Sequence, residues 1–164
     1  MKKKGQLKLS FGMIFSITMI IIFLAFGFYV IGKFLDMKSS VEAGKFIEEF
    51  QNDVDKMWKS SQGSQEEEYF LPTKVEAVCI VDYSSPSRED IEEIYKKLKQ
   101  VYDNEQNLFF YPVGSGKGLD AATIEHLNLE KITSEKNPFC VAVEDGKLNL
   151  TIKKSFDDAL VRIE

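Results

Sequence analysis

The run from Leu9 to Gly32, LSFGMIFSITMIIIFLAFGFYVIG, constrains this chain more than any other feature. It holds no charged residue, and Lys8 and Lys33 bracket it. As a helix, about 24 residues rise roughly 36 Å, enough to cross a hydrocarbon core of about 30 Å. A lone segment in lipid must satisfy its own backbone hydrogen bonds, so it has to be helical. Ser10, Ser16 and Thr18 are compatible with this, because their hydroxyls can bond carbonyls one turn back. Residues 9–33 therefore read as a transmembrane helix, residues 1–8 as a basic flank, and the remainder as a water-exposed part.

Charge is distributed to match. Six lysines against one aspartate give residues 1–38 a net of +5, so with −5 for the whole chain residues 39–164 carry −10. An acidic domain repels phosphate backbones and anionic lipid heads, which excludes nucleic acid as a partner and leaves the bilayer, entered through the helix. Lysines concentrate beside the span, four of them before it. Juxtamembrane lysines favour the cytoplasmic side, so the expected location is the cell membrane, single-pass, N-terminus inside and C-terminal domain outside. Eight residues precede the span, too few for a cytoplasmic domain, which weighs against a signalling role.

Beyond the span the helix is expected to continue over residues 34–60. Phe34, Leu35, Met37, Val41, Phe46, Ile47, Phe50, Val54, Met57 and Trp58 recur at spacings of three and four, with Glu42, Glu48, Glu49, Asp53, Asp55 and Lys56 filling much of the rest. Such a stripe needs cover. Phe46, Phe50, Val54, Met57 and Trp58 are the candidate residues for packing on a sheet or on another subunit. SSQGSQ after Lys59 is turn and linker chemistry.

From Glu68 the periodicity turns to that of strands. A short strand is expected at Glu68–Leu71, then a central strand buried on both faces at Val75–Tyr83. A helix should follow, capped at Ser87 with Asp90 three residues on, and run to Tyr102. Leu108–Val113 reads as a strand. Asp120–Ile132 reads as a turn and then a strand that leaves His126 on its polar side. Phe139–Glu144 and Lys147–Lys153 around Asp145-Gly146 read as a hairpin, and Ala159–Ile163 as a last strand. The fold class is α+β: a long N-terminal helix packed on a small, mainly antiparallel sheet with one additional helix, residues 61–164 forming the head.

Cys79 and Cys140, each in an apolar run, define a single pairing. Either they form a disulfide, as an oxidising compartment permits, or they are two small buried hydrophobes that never meet. Lys4-Gly5-Gln6, followed by a short polar stretch and the long apolar helix, resembles the class III prepilin-type signal of archaeal type IV pilin-like proteins. The resemblance covers about the first 30 residues and the helix-then-sheet layout. It implies cleavage between Gly5 and Gln6 on the cytoplasmic face and a retained helix that anchors the subunit and packs with copies of itself. The fifth residue from Gln6 is Ser10, where many family members carry a glutamate used in assembly. The other readings of this segment are a plain positive flank of an uncleaved anchor, and a secretory signal with Ala25 and Gly27 as its cleavage pair.

Motifs for catalysis fail on inspection. Gly114-Ser115-Gly116-Lys117-Gly118 lacks the first glycine of a phosphate loop, which would stand at Tyr111, and has glycine where Ser or Thr should follow the lysine. Asp82, Asp157 and Asp158 fall near strand ends and read as solvated surface charge, and Glu66-Glu67-Glu68 as a linear acidic run without the wrap of a calcium loop. No enzyme, metal or cofactor is expected. Two functions remain open: a membrane-rooted structural or interaction protein, and an anchored ligand-binding or sensory module with a site near Phe109, Phe110 and the glycine loop.

Overall fold

The computed structural model describes residues 11–86, 92–101 and 105–164, which form two compact units divided between Met37 and Lys38. Gly5 and Gln6 lie outside the described residues, as do Ser87, Asp90 and Tyr102. Helix α1, Phe11–Lys59, contributes its residues to Met37 to the first unit and the rest to the second.

The described residues of the first unit, from Phe11 to Met37, are all helical. Ser16 and Thr18 donate to the carbonyls of Gly12 and Ile14 at 2.8 and 2.9 Å, so their hydroxyls are satisfied within the helix. Every large apolar side chain from Phe11 to Met37 is exposed. Among the described residues this is the one helix long and apolar enough to cross a membrane.

The second unit is an α+β head. Strands β1 (Gly63–Phe70), β6 (Lys147–Lys154) and β7 (Arg162–Ile163) form a three-stranded antiparallel sheet in the order β1-β6-β7. Strands β2 (Ala77–Ile80), β3 (Leu108–Tyr111), β4 (Ala121–Ala122) and β5 (Phe139–Ala142) form a second, ordered β4-β3-β2-β5. Helix α2 is Glu92–Val101 and helix α3 is Leu129–Ile132. Among the described residues the head thus has two sheets where one was expected, and two helices besides α1.

Helix α1 joins the sheets. Its Ala43, Phe46, Phe50, Val54 and Met57 are buried. The Phe46 ring centroid lies 5.4 Å from that of Tyr69 on β1 and 5.7 Å from that of Phe110 on β3, so one side chain touches both sheets. Strand β2 is central and buried on both faces. Val78 and Ile80 join the core beneath α1, whereas Cys79 and Val81 join Phe109 and, from α2, Tyr95 and Leu98. The four-stranded sheet is therefore covered by α1 on one side and α2 on the other.

Four local expectations are corrected. Strand β1 is eight residues long and takes in Gly63 to Glu67, which had read as linker and acidic run, because each pairs with the backbone of β6. The turn at Asp145-Gly146 forms, with φ of 50° and 74° as a two-residue loop of this kind requires, but its arms belong to different sheets. Val143 N bonds Glu76 O, which extends β5 along β2, and Leu71 N bonds Gly146 O, which leads the other arm to β1. In the segment from Asp120 to Ile132 the strand is the short β4, and its end is the helical turn α3, capped where Asn128 Oδ1 accepts from Lys131 N at 3.0 Å. The last strand contracts to β7, with Val161 making only a bridge to Leu127.

Candidate functional site

The packing residues singled out from the sequence lie on the second half of α1, where the helix meets the sheets. Phe46, Phe50, Val54 and Met57 are in the core, whereas Trp58 lies at the rim, 37% exposed. Trp58 is covered on one side by His126, whose ring stacks on it at 3.7 Å and 10°. His126 Nδ1 is 3.0 Å from Asp55 Oδ1. Gln51 Nε2 donates to that carboxylate at 2.8 Å, while Gln51 Oε1 accepts from Glu125 N at 2.8 Å. Residues 51, 55 and 58 succeed one another along one helix face, so a single edge of α1 grips the Glu125–His126 backbone and ring. The hydrogen bond from His126, aided by that from Gln51, lowers the Asp55 pKa from its usual value against the opposing effect of burial. His126 itself has φ 65°, unusual for a residue with a side chain. It is therefore not the solvated group its sequence neighbours implied. The missed signal was the Gln51, Asp55, Trp58 spacing beside the apolar stripe.

The end of α1 is fixed as well. Lys154 Nζ donates to the carbonyls of Trp58 and of Ser60, the latter at 2.9 Å, which places a cation on free helix carbonyls. Tyr69 donates from its hydroxyl to Asp53 Oδ2 at 3.0 Å, and burial followed by the neighbouring Asp53 raises the phenol well above its usual range.

Cys79 and Cys140 stand directly opposite each other on β2 and β5, and their sulfurs are bonded at 2.07 Å. The bridge closes a segment of 61 residues that contains α2, β3, β4 and α3.

The glycine loop is packed rather than open. Gly116 N and Gly118 N both donate to the Asp120 carboxylate, at 2.6 and 3.2 Å. A Cβ on Gly116 would meet Leu119 O at 2.7 Å and the Phe110 ring at 2.8 Å. Ser40 Oγ donates to Lys117 O at 2.9 Å, and Leu119 sits 3.3 Å from where a Gly44 side chain would begin. Gly44, a weak point by helix propensity alone, is thus the position that lets this loop dock on α1. Phe109 and Phe110 are fully buried, so the place anticipated for a ligand is filled by core.

Two carboxylates read as surface charge are instead buried and fully engaged. Asp82 accepts from Ser84 N at 2.9 Å, Ser84 Oγ at 2.6 Å and Ser85 Oγ at 2.9 Å. Burial opposes its ionisation, but those hydrogen bonds outweigh it and hold its pKa below the usual value. Asn137, 1% exposed, fastens the same turn by accepting from Asp82 N and donating to Asp82 O and Ser85 O. Asp158 pairs with Lys131 and with Arg162, the latter at 3.1 Å, and accepts from Ser155 N. The Lys131 hydrogen bond lowers its pKa against burial, aided by the Ser155 amide and by Arg162. Asp157 is exposed. Glu66 and Glu68 lie on the outer face of β1, with Glu68 in an ion pair to Lys147 at 3.1 Å. No group of three or more His, Cys, Asp or Glu among the described residues is placed to hold a metal ion.

Comparison with known proteins returns no match to a protein family, to a curated protein or to a solved structure.

Proposed function

We propose that this chain is a single-pass membrane protein whose head stands outside the cell as a structural or interaction module, built as a pilin-like subunit. The observation that carries this reading is the uncovered helix from Phe11 to Met37. Burying a large apolar side chain is worth roughly 1.5–3 kcal/mol. A row of them left in water would cost more than the whole stability of a small domain, roughly 5–15 kcal/mol. A bilayer removes that cost; copies of the same helix packing together in lipid are the further partner. The lysine-rich flank supports an inside N-terminus, and the Cys79–Cys140 bond suits an oxidising exterior. The role is non-catalytic, and the engagement of Asp82 and Asp158 in hydrogen bonds and ion pairs supports that.

Fractionation of native membranes tests the anchor. The chain should resist alkaline extraction and dissolve only in detergent; recovery in the alkaline supernatant contradicts the reading. The mass of the purified protein tests the pilin-like part. A mature chain beginning at Gln6 is expected, an intact start at residue 1 or 2 removes the pilin-like part, and a start beyond Gly27 removes the anchor.

A further inference from the structure

We propose that Asn149 is the acceptor of an N-linked glycan on the outer face of the three-stranded sheet, a site that rests on the head being outside the membrane. Asn149-Leu150-Thr151 is an Asn-x-Thr triplet whose middle residue is not proline, the form required of an acceptor. Of the six asparagines in the chain, Asn149 alone is followed two residues later by Ser or Thr.

The strand presents this triplet outward. Along β6, Leu148, Leu150 and Ile152 are buried, while Lys147 and Asn149 are exposed and Thr151 is half-buried. Successive strand residues point to opposite faces, so Asn149 and Thr151 share the outer face and Leu150 pins the alternation from the core. Asn149 faces Glu68 and Thr151 faces Glu66 across the ladder, and these four residues line an open depression of about 360 Å³.

A second feature of the face fits a sugar. Phe70, opposite Lys147, is 60% exposed and contributes nothing to the core. It is the diagonal neighbour of Asn149, about 7–8 Å away for such a pair. An aromatic ring at that distance offers a flat apolar surface to the C–H face of the first pyranose.

The chemistry balances with a lipid-phosphate-linked glycosyl donor as co-reactant and a transferase as catalyst. Asn149 Nδ2 attacks the anomeric carbon of the donor and forms the N–C bond. The bond from that carbon to the phosphate oxygen breaks, the lipid phosphate leaves with the electron pair, and the amide proton passes to a basic group of the transferase. All eight residues of β6 pair with β1, so transfer precedes the closing of this sheet, while the chain is still emerging on the outer side.

The test is peptide mass spectrometry on the full-length protein purified in mild detergent from its own membranes. The peptide spanning Asn149 is expected to be heavier by a hexose- or N-acetylhexosamine-based increment. Asn149→Gln and Thr151→Ala should abolish the increment, and Thr151→Ser should retain it; both positions tolerate change because they are on the outer face of the strand. A wholly unmodified peptide in the natural protein overturns the inference, and so does an increment that survives Asn149→Gln. Protease added outside intact cells in parallel separates the two failures. An unmodified Asn149 on a digested head overturns the glycan alone, and an unmodified Asn149 on a protected head overturns the location as well.

Discussion

Opening the Cys79–Cys140 bond should cost the head a large part of its stability. The bridge joins residues 61 apart in the sequence. In the chain-entropy account, closing a loop of that length removes about 14 cal/mol/K from the unfolded chain, or about 4 kcal/mol at 25 °C. A domain of this size is typically stable by roughly 5–15 kcal/mol, so the reduced head should sit near the edge of folding. The ladder between β2 and β5 would remain, but it spans only four residues and β5 is a sheet edge. Trp58 provides the readout: it is the only tryptophan and belongs to the head, so its fluorescence follows the head and not the apolar helix. Urea titrations in mild detergent should show the midpoint falling by about 2 M on reduction, taking a slope of about 2 kcal/mol/M. Cys79→Ala/Cys140→Ala should behave as the reduced chain does. Coincident oxidised and reduced curves would show that the bond contributes nothing to the head, and two thiols that alkylate in the native protein before any reductant is added would show that it is not formed.

Phe50→Ala should destabilise the head by about 3–5 kcal/mol by urea titration, whereas Val41→Ala, at an exposed position on the same helix, should change it by less than about 0.5 kcal/mol. Gly116→Ala should cost about 1–3 kcal/mol in the same assay, since the new methyl meets the Leu119 carbonyl and the Phe110 ring. His126→Ala should shift Trp58 emission to the red and destabilise more than His126→Gly, because both lose the stacked ring but only glycine is at ease at φ 65°. Asp82 and Asp158 both have folded pKa values below the unfolded aspartate value of about 3.9. Their contribution is therefore complete above about pH 4 and is lost as pH falls through the lower folded values, and Asp82→Asn should flatten the acid limb of a stability-against-pH profile.

The parts of this fold that can be read from the residues are those in which side-chain pattern and backbone agree. The charge-free run to Gly32 coincides with the part of α1 whose large apolar side chains are all exposed. The three-and-four spacing of Phe46, Phe50, Val54 and Met57 coincides with the face that α1 buries. The apolar run around Cys79 marks the strand covered on both sides. Strand β1 hides because its pairing is made by the backbone, while its outward side chains are glutamates that look like linker. The turn at Asp145-Gly146 is visible, but a two-residue turn says nothing about which sheet each arm will join; that is decided by Glu76 and Gly146 carbonyls far apart in sequence. The burial of Asp82 and Asp158 and the stacking of His126 were hidden for the same reason. Their partners Asn137, Arg162 and Trp58 meet them only once the chain is folded.

On the proposed reading, the apolar helix holds a disulfide-bonded head on the outer side of a membrane. The most direct measurement is protease digestion of intact cells, followed by detection of the Trp58-to-Cys140 region, with a cytoplasmic protein and a surface protein as internal references. This region should disappear together with the surface reference while the cytoplasmic one survives. A head that stays whole until the membrane is broken would contradict it.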